Sequence, residues 1–171
     1  MHLVVSCSLN KNSKSKIMAK YAHDAFKEDV KFIDLQNFDL PFCDGNTCYE
    51  NSTVKELTQL VEESKSIIIA SPIYNYDLNA VAKNFIELTG KAWTDKVVGF
   101  ICAAGGKGSY MSVTSLMNSL LLDFRCIIIP RFIYTDGSGF DDNNNIKKTI
   151  KERIDELVNQ SVSISSSIQV P

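Results

Sequence analysis

The 171-residue sequence is poor in the features that mark several large classes of protein. It holds two histidines, one tryptophan and four prolines, and its five cysteines include no Cys-x-x-Cys pair. No apolar run approaches the roughly 18 residues of a membrane-spanning helix, and the start lacks the layout of a secretory signal. A formal net charge of −2 offers no basic surface to nucleic acid or to an acidic membrane. We therefore expect a cytoplasmic protein that binds neither nucleic acid nor membranes.

Two nucleotide-binding fingerprints are also missing, since neither Gly-x-Gly-x-x-Gly nor the Walker sequence ending in Gly-Lys-Ser/Thr occurs. In their place, a hydroxyl-rich loop at residues 6–15 joins a short apolar run to a helical pattern. Hydroxyl groups and unpaired N–H groups at a helix start can bind an anion. The loop therefore predicts a site for a phosphomonoester, as in a mononucleotide, and a capped polar turn is the alternative.

The cysteines divide into two groups. Cys7, Cys102 and Cys126 lie in or beside apolar strand-like runs, where reduced cysteine behaves as a small hydrophobic residue. Cys43 and Cys48 lie in a long loop, where a redox or metal pair is the alternative to two independent thiols. We predict no metal site.

Strand and helix patterns alternate five times along the chain. The predicted strands are 3–6, 30–35, 66–70, 96–103 and 126–134, and the predicted helices are 15–26, one starting at 52 or 53, 79–88, 109–123 and 144–159. Such alternation is typical of a doubly wound parallel α/β sheet, here in one domain over residues 1–160 with a C-terminal tail at 161–171.

Several boundaries of these elements are predicted from single residues. Pro72 should end the third strand, and Pro130 should make the fifth an edge strand or a bulge. Thr53 and Glu56 match a capping box for the second helix. The serine-rich tail should be frayed, or weakly docked by Val162 and Ile164.

Polar loops rich in small residues follow the first, third and fourth predicted strands, so all three should meet at the carboxyl edge of the sheet. The second loop carries Tyr74, Asn75 and Tyr76, and the third is the glycine-rich segment 105–108. Aromatic edges and exposed backbone suit a planar ligand. The alternatives are that the tyrosines cover the core or an oligomer interface, and that the third loop is an ordinary glycine turn.

These motifs resemble those of the NADPH-dependent FMN reductase family. The matching segments are Cys7-Ser8-Leu9-Asn10 with Ser13-Lys14-Ser15, then Pro72-Ile73-Tyr74-Asn75 followed by Ala82-Lys83-Asn84 and Glu87, and last Gly105-Gly106-Lys107-Gly108. Asn10 and Cys7 stand where the family usually has arginine and glycine, and Ile73 where it often has glutamate. The resemblance implies a flavodoxin-like three-layer sandwich, with helices on both faces of a five-stranded parallel sheet in the order 2-1-3-4-5.

The resemblance also implies a set of residues that hold FMN. They are Ser8, Asn10, Ser13, Lys14 and Ser15 at the phosphate, Pro72, Ile73, Tyr74 and Asn75 along the isoalloxazine ring, and Gly105, Gly106 and Lys107 at its other edge. No side chain would be catalytic, since the flavin N5 accepts the hydride.

The implied activity is electron transfer from NADPH or NADH through FMN to a small-molecule acceptor: a quinone, an azo compound, a metal ion or free flavin. The implied assembly is a homodimer, possibly a tetramer, with the helix of Lys83 and Glu87 at the interface. The alternative is a flavodoxin-like electron carrier that binds FMN without oxidising NAD(P)H itself.

Overall fold

The structure of the chain, a computed structural model, describes residues 1–168 and consists of a parallel sheet between two layers of helices. The strands are β1 (His2–Ser6), β2 (Val30–Asp34), β3 (Ser66–Tyr74), β4 (Asp77–Leu78), β5 (Val97–Ala103), β6 (Ile127–Ile128) and β7 (Ile133–Thr135). The helices are α1 (Lys14–Ala25), α2 (Ser52–Glu62), α3 (Ala80–Thr89), α4 (Thr114–Phe124) and α5 (Lys148–Ser167). None of the helices in this part of the chain combines the length and apolar character needed to cross a membrane.

The strands follow the order β2-β1-β3-β5-β6, with parallel pairing throughout. His2 lies opposite both Val30 and Ser66, so the three strands start level with one another. β7 also pairs in parallel with β5, and β4 pairs antiparallel with β3. When β6 and β7 are counted together as the predicted fifth strand, this is the order 2-1-3-4-5. The predicted doubly wound sheet is therefore confirmed.

Both faces of the central strands are buried. Leu3 and Val5 point into the layer formed by α2, α3 and α4, whereas Val4 points into the layer formed by α1 and α5. This alternation, with apolar contacts on both sides, explains why the runs in β1 and β3 are continuously apolar. The one tryptophan, Trp93, is fully buried, and its polar group has a partner. Its Nε1–H donates to the hydroxyl of Thr89 at 2.7 Å.

Pro130 divides the predicted fifth strand into β6 and β7. Both segments pair with β5, and the N–H of Ile129 still donates to the carbonyl of Val98 at 2.9 Å. Because β6 lies at the edge of the sheet, the missing N–H of a proline there breaks no central ladder. The predicted edge position is confirmed.

The prediction that Pro72 ends the third strand is wrong, since β3 continues through Pro72 to Tyr74. The carbonyl of Ala70 accepts from the N–H of Cys7, so residues 70 and 72 present their backbone groups towards β1. β1 ends at Ser6, opposite Ala70, so Pro72 lies beyond the last strand pair on that side. A missing N–H therefore costs no ladder hydrogen bond at this position.

The start of α2 at Ser52 agrees with the prediction, but its cap does not, and α4 starts later than predicted. Asn51 caps α2, with its Oδ1 accepting from the N–H groups of Thr53 and Val54, so the predicted capping box at Thr53 is wrong. α4 starts at Thr114 rather than at Ser109 because the segment Lys107–Val113 forms 3₁₀ turns, and Ser109 departs from helical φ/ψ.

α5 extends further than predicted, because its apolar face does not end at Asn159. The hydroxyl of the fully buried Ser161 donates to Ser66 Oγ at 2.6 Å. Val162 and Ile164 pack, partly buried, against the layer formed by α1 and α5, as the docking alternative predicted. The prediction of a frayed tail is therefore wrong as far as Ser167. Residues 169–171 lie outside the described residues.

Candidate functional site

The loop from β1 to α1 surrounds a helix start with buried hydroxyl groups. Ser8, Ser13 and Ser15 are all buried. Ser13 is the N-cap of α1: its Oγ accepts the N–H of Lys16 at 3.2 Å and lies 2.8 Å from Ser15 Oγ. The N–H groups of Lys14 and Ser15 form no hydrogen bond within residues 1–168. Unpaired N–H groups, hydroxyls and the positive end of the helix dipole together suit an anion.

Asn10 and Gln36 fix the shape of this loop. Asn10 is exposed, its Oδ1 accepts the N–H of Asn12 at 2.9 Å, and its own N–H donates to Ser8 Oγ at 3.2 Å. Gln36, which follows β2, donates its side-chain amide to the carbonyl of Leu9 at 2.7 Å. This contact could not be predicted from the sequence, because the two residues are distant in the chain.

The side chain of Lys14 extends away from the loop. Its Nζ lies 5.3 Å from the centre of the Phe140 ring, and a Cβ added at Gly137 would lie 3.3 Å from it. Lys14 therefore contacts the turn at residues 136–140, which follows β7. Of Lys14, therefore, only the backbone N–H lies at the helix start.

The second predicted loop is a β-hairpin. Asn75 and Tyr76 join β3 to β4 with φ values of 50° and 66°, the positive pair required by a type I′ turn. Tyr74 and Tyr76 are 53% and 60% exposed, so they do not cover the core, whereas Ile73 packs within it. Any contact from Ile73 to a ligand would come from its main chain.

Asn79 joins the first loop to the hairpin. This buried side chain caps α3, with its Oδ1 accepting from the N–H of Ala82 at 3.2 Å and from the hydroxyl of Ser71 at 3.0 Å. Its Nδ2 donates to the carbonyl of Cys7 at 2.7 Å. The ends of β1 and β3 and the start of α3 therefore meet at one amide. The sequence prediction included Asn79 only as a helix residue, although the preference of asparagine for N-caps was an available signal.

Cys7, where the family motif usually has glycine, simply continues the strand. Its N–H donates to the carbonyl of Ala70 at 2.8 Å, and its φ is not among the positive values in the chain. Its side chain is fully buried. Burial first, and then the neighbouring Cys102, raise the pKa of the Cys7 thiol, so it stays protonated.

The third loop is held by Tyr134 and leaves space in front of its glycines. The hydroxyl of Tyr134 donates to the carbonyl of Gly106 and accepts from Ser109 Oγ at 2.8 Å. A Cβ added at Gly105 or Gly106 would meet no atom within 4 Å, and neither residue has a positive φ. The fold itself thus does not require glycine there, and the open space fits a flat group passing close to the backbone. Tyr134 was not predicted as a site residue.

A fourth loop at this edge, residues 136–140, was missed at the sequence level. Asp136 accepts from the N–H of Ser138 at 2.9 Å. The hydrogen bonds from Ser138 are the main reason that the pKa of the Asp136 carboxyl group is lowered, and the charge of Lys107 makes a smaller contribution. A cavity of about 400 Å³ lies between this loop and the third. It is lined by Lys107, Tyr110, Tyr134, Thr135, Asp136, Ser138 and Ile150. The run Gly137-Ser138-Gly139 is the only local sequence feature that indicates this loop.

The predicted site residues therefore lie on loops that the structure ties together. β1, β3 and β5 are neighbours, Asn79 links the first loop to the hairpin, and Ser115 Oγ at the start of α4 donates to Asp77 Oδ1 in the hairpin. Lys83 and Glu87, by contrast, lie on the exposed side of α3 and form a 3.0 Å ion pair with each other.

Comparison with known proteins gives consistent matches. Residues 2–141 match the model of the family described as NADPH-dependent FMN reductase. An NADPH:quinone oxidoreductase of Arabidopsis thaliana is 30% identical over 168 residues, which span 90% of this chain and 86% of that protein. An NAD(P)H:quinone oxidoreductase of Solanum tuberosum is 30% identical over 137 residues, 73% of this chain and 70% of that protein. Among solved structures, the flavoenzyme NAD(P)H:(acceptor) oxidoreductase FerB of Paracoccus denitrificans superposes with a TM-score of 0.77 at 20% identity, covering 96% of each chain.

Proposed function

The chain belongs to the NADPH-dependent FMN reductase family, and from that premise we propose that it passes electrons from NADPH through bound FMN to a quinone. The observation that carries the proposal is the convergence of a helix start with unpaired N–H groups and buried hydroxyls, an exposed tyrosine hairpin and an open glycine loop at adjacent strand ends. Quinone is chosen as the acceptor because the relatives from Arabidopsis thaliana and Solanum tuberosum are quinone oxidoreductases.

The proposed role of the first loop is to hold the FMN phosphate. The hydroxyls of Ser8, Ser13 and Ser15 and the N–H groups of Lys14 and Ser15 supply donors at the positive end of α1. Asn10 acts by shaping the loop, through its bonds to Asn12 and Ser8. A charge-assisted hydrogen bond is worth about 1.5–3 kcal/mol, so a few such bonds suffice to retain a phosphate.

The proposed ring site lies between the hairpin and the third loop. Pro72, Ile73 and Asn75 would supply main-chain contacts, and the exposed Tyr74 an aromatic surface that keeps water from the ring. Gly105, Gly106 and Lys107 would approach its other edge, where the absence of side chains on the glycines gives access. FMN when bound supplies the redox chemistry, and the chain binds and orients the reactants.

The first test is whether the purified protein takes up FMN and then oxidises NADPH when menadione is present. A yellow protein that consumes NADPH only with the quinone supports the proposal, and NADH run in parallel gives the nucleotide preference. Binding of FMN without NADPH consumption would instead favour the electron carrier. A protein that remains colourless after incubation with FMN would contradict both functions.

Ser15→Ala tests the phosphate site, with Ser163→Ala as a matched control on the exposed side of α5. Loss of one donor to the phosphate should weaken FMN binding by about tenfold or more, equivalent to about 1.4 kcal/mol. The Ser163→Ala protein should bind FMN as the wild type does. Equal FMN affinities for the two variants would show that Ser15 does not bind the phosphate.

We also propose a homodimer that uses α3, and a cytoplasmic location. The exposed ion pair of Lys83 and Glu87 lies on the outer face of that helix, where a second copy has access. All five cysteines are free thiols, which suits a reducing compartment. Sedimentation at micromolar protein tests the assembly, and a monomer alone would count against it.

A further inference from the structure

Two thiols outside the proposed FMN site lie side by side in the connection between β2 and α2. The Sγ atoms of Cys43 and Cys48 are 3.9 Å apart. Cys43 is partly exposed, whereas Cys48 is 4% exposed and packs against Val54 and Leu88. Within residues 1–168, no three His, Cys, Asp or Glu side chains converge in an arrangement that could hold a metal ion. The pair is therefore better suited to redox chemistry than to metal binding.

The turn that carries the two thiols is held at both ends. The Asp44 carboxylate accepts from the N–H groups of Asn46 at 2.9 Å and Cys48 at 3.0 Å. The N–H of Cys43 donates to Asn84 Oδ1 at 2.9 Å, and Asn84 Nδ2 donates to the carbonyl of Pro41 at 2.9 Å. Asn84 lies on α3, so the first cysteine is anchored to that helix and the second to the turn itself.

The other three cysteines lie in a different environment. Cys7, Cys102 and Cys126 are each at most 2% exposed. Burial raises the pKa of Cys102 to about 12 and that of Cys126 to about 11, and it raises the pKa of Cys7 as well. These thiols remain protonated and shielded from oxidants, so they serve as internal controls for Cys43.

We propose that Cys43 and Cys48 are a redox modification site, at which a hydroperoxide converts the two thiols reversibly into an intrachain disulfide. Cys43, the accessible thiol, attacks hydrogen peroxide as its thiolate, which gives a sulfenic acid and hydroxide. Cys48 then attacks the Cys43 sulfur, and the sulfenic oxygen leaves as water. In sum, two thiols and one hydrogen peroxide give one disulfide and two waters. A dithiol reductant reverses the reaction by exchange.

The geometry requires only a local movement. A disulfide bond is about 2.0 Å long, so the two sulfurs must approach by roughly half of their present separation. Cys43 is partly exposed, its Sγ lies 3.6 Å from the hydroxyl of Tyr49, and the neighbouring Phe42 is 86% exposed. Burial and then the Asp44 carboxylate beside the thiol raise the pKa of Cys48, so the second step should be faster in alkaline solution.

Peptide mapping tests the proposal directly on the full chain, with and without FMN. Trypsin cleaves after Lys31 and Lys55 and nowhere between them, so one peptide, 32–55, contains both thiols. Cys7, Cys102 and Cys126 fall on three other peptides. After treatment with hydrogen peroxide, unfolding in urea and alkylation, peptide 32–55 should become mainly an unalkylated form two hydrogens lighter, and dithiothreitol added before alkylation should restore the alkylated form. The other three peptides should stay fully alkylated throughout.

Two variants separate the roles of the thiols. In Cys48→Ser, Cys43 should persist as a sulfenic acid that dimedone traps, and in Cys43→Ser, Cys48 should remain alkylatable. The proposal is overturned if wild-type peptide 32–55 is still alkylated at both positions, or if Cys43 accumulates as sulfinic acid while Cys48 stays reduced. A disulfide that joins two chains, or that involves Cys7, Cys102 or Cys126 first, would overturn it as well.

Discussion

Asn79→Ala should loosen both the fold and the proposed FMN site, because one amide serves three segments. The side chain caps α3, accepts from Ser71 Oγ and donates to the carbonyl of Cys7. Loss of an N-cap costs about 1 kcal/mol. A buried carbonyl left without its donor costs about 1–3 kcal/mol more. The hydroxyl of Ser71 keeps a partner, since it also donates to the carbonyl of Pro72. We therefore expect the free energy of unfolding to fall by about 2–4 kcal/mol.

A matched control is available at Asn51, which caps α2 in the same way. Its Oδ1 accepts from the N–H groups of Thr53 and Val54, and it makes no other side-chain hydrogen bond within residues 1–168. Asn51→Ala should therefore lower the free energy of unfolding only by the contribution of the cap, about 1 kcal/mol. Urea unfolding of the two apo proteins, monitored by far-UV circular dichroism, measures the difference.

FMN affinity, measured by quenching of flavin fluorescence, distinguishes the two positions further. Asn79→Ala should weaken FMN binding by about tenfold, because Ser8 follows the carbonyl that Asn79 holds, and a tenfold change needs only about 1.4 kcal/mol. Asn51→Ala should leave FMN affinity unchanged. Asn79→Asp keeps the cap acceptor but replaces the donor to Cys7, so it should retain the FMN defect. If Asn79→Ala behaves like Asn51→Ala in both assays, strand pairing alone positions the loops and the inferred role of Asn79 is wrong.

Three further changes test single contacts. Gly106→Ala should leave urea unfolding nearly unchanged, because its Cβ would meet no atom within 4 Å, yet it should weaken FMN binding in an absorbance titration; an unchanged affinity would contradict the close approach. Tyr134→Phe removes the hydroxyl shared by Gly106 and Ser109 and should lower the free energy of unfolding by about 1 kcal/mol, whereas no loss in urea unfolding would show that contact to be dispensable. Hydrogen bonds from Thr47 and Cys48 hold the pKa of Asp44 well below its usual range. The ionised carboxylate therefore contributes fully to the free energy of unfolding above its pKa in the unfolded chain, about 4, and this contribution is lost as the pH falls further. The stability difference between wild type and Asp44→Asn should therefore shrink in acid, and a constant difference would refute the assignment.

The fold was predictable because the apolar runs and helical patterns alternate without ambiguity. The run Ile67–Ala70 is buried on both faces, and a central parallel strand is its natural structure. The continuation of β3 into a hairpin was not predictable from Pro72 alone. Whether proline ends a strand depends on which neighbour its backbone faces, and that is decided by where β1 stops.

The predicted site was limited in the same way. Ser8, Ser13 and Ser15 could be found locally, because a helix start and hydroxyl residues are adjacent in sequence. Asn79 and Tyr134 could not be placed in the site, because each acts on a backbone carbonyl far away in the chain, Cys7 and Gly106 respectively. Sequence patterns identify the groups that would face a ligand more readily than the groups that hold the loops in position.

The absence of an arginine at Asn10 changes how the proposed phosphate site has to work. Asn10 is exposed and uses its side chain to fold the loop, and the ammonium of Lys14 lies over Phe140. The remaining donors at the helix start are hydroxyls and backbone N–H groups, whose strength depends on their direction more than on net charge. Such a site gains affinity only if its donors are held in place before the ligand arrives. The hydrogen bonds of Gln36 to Leu9 and of Asn79 to Cys7 fix the loop on both sides, and in the proposed site this rigidity would compensate for the missing side-chain cation.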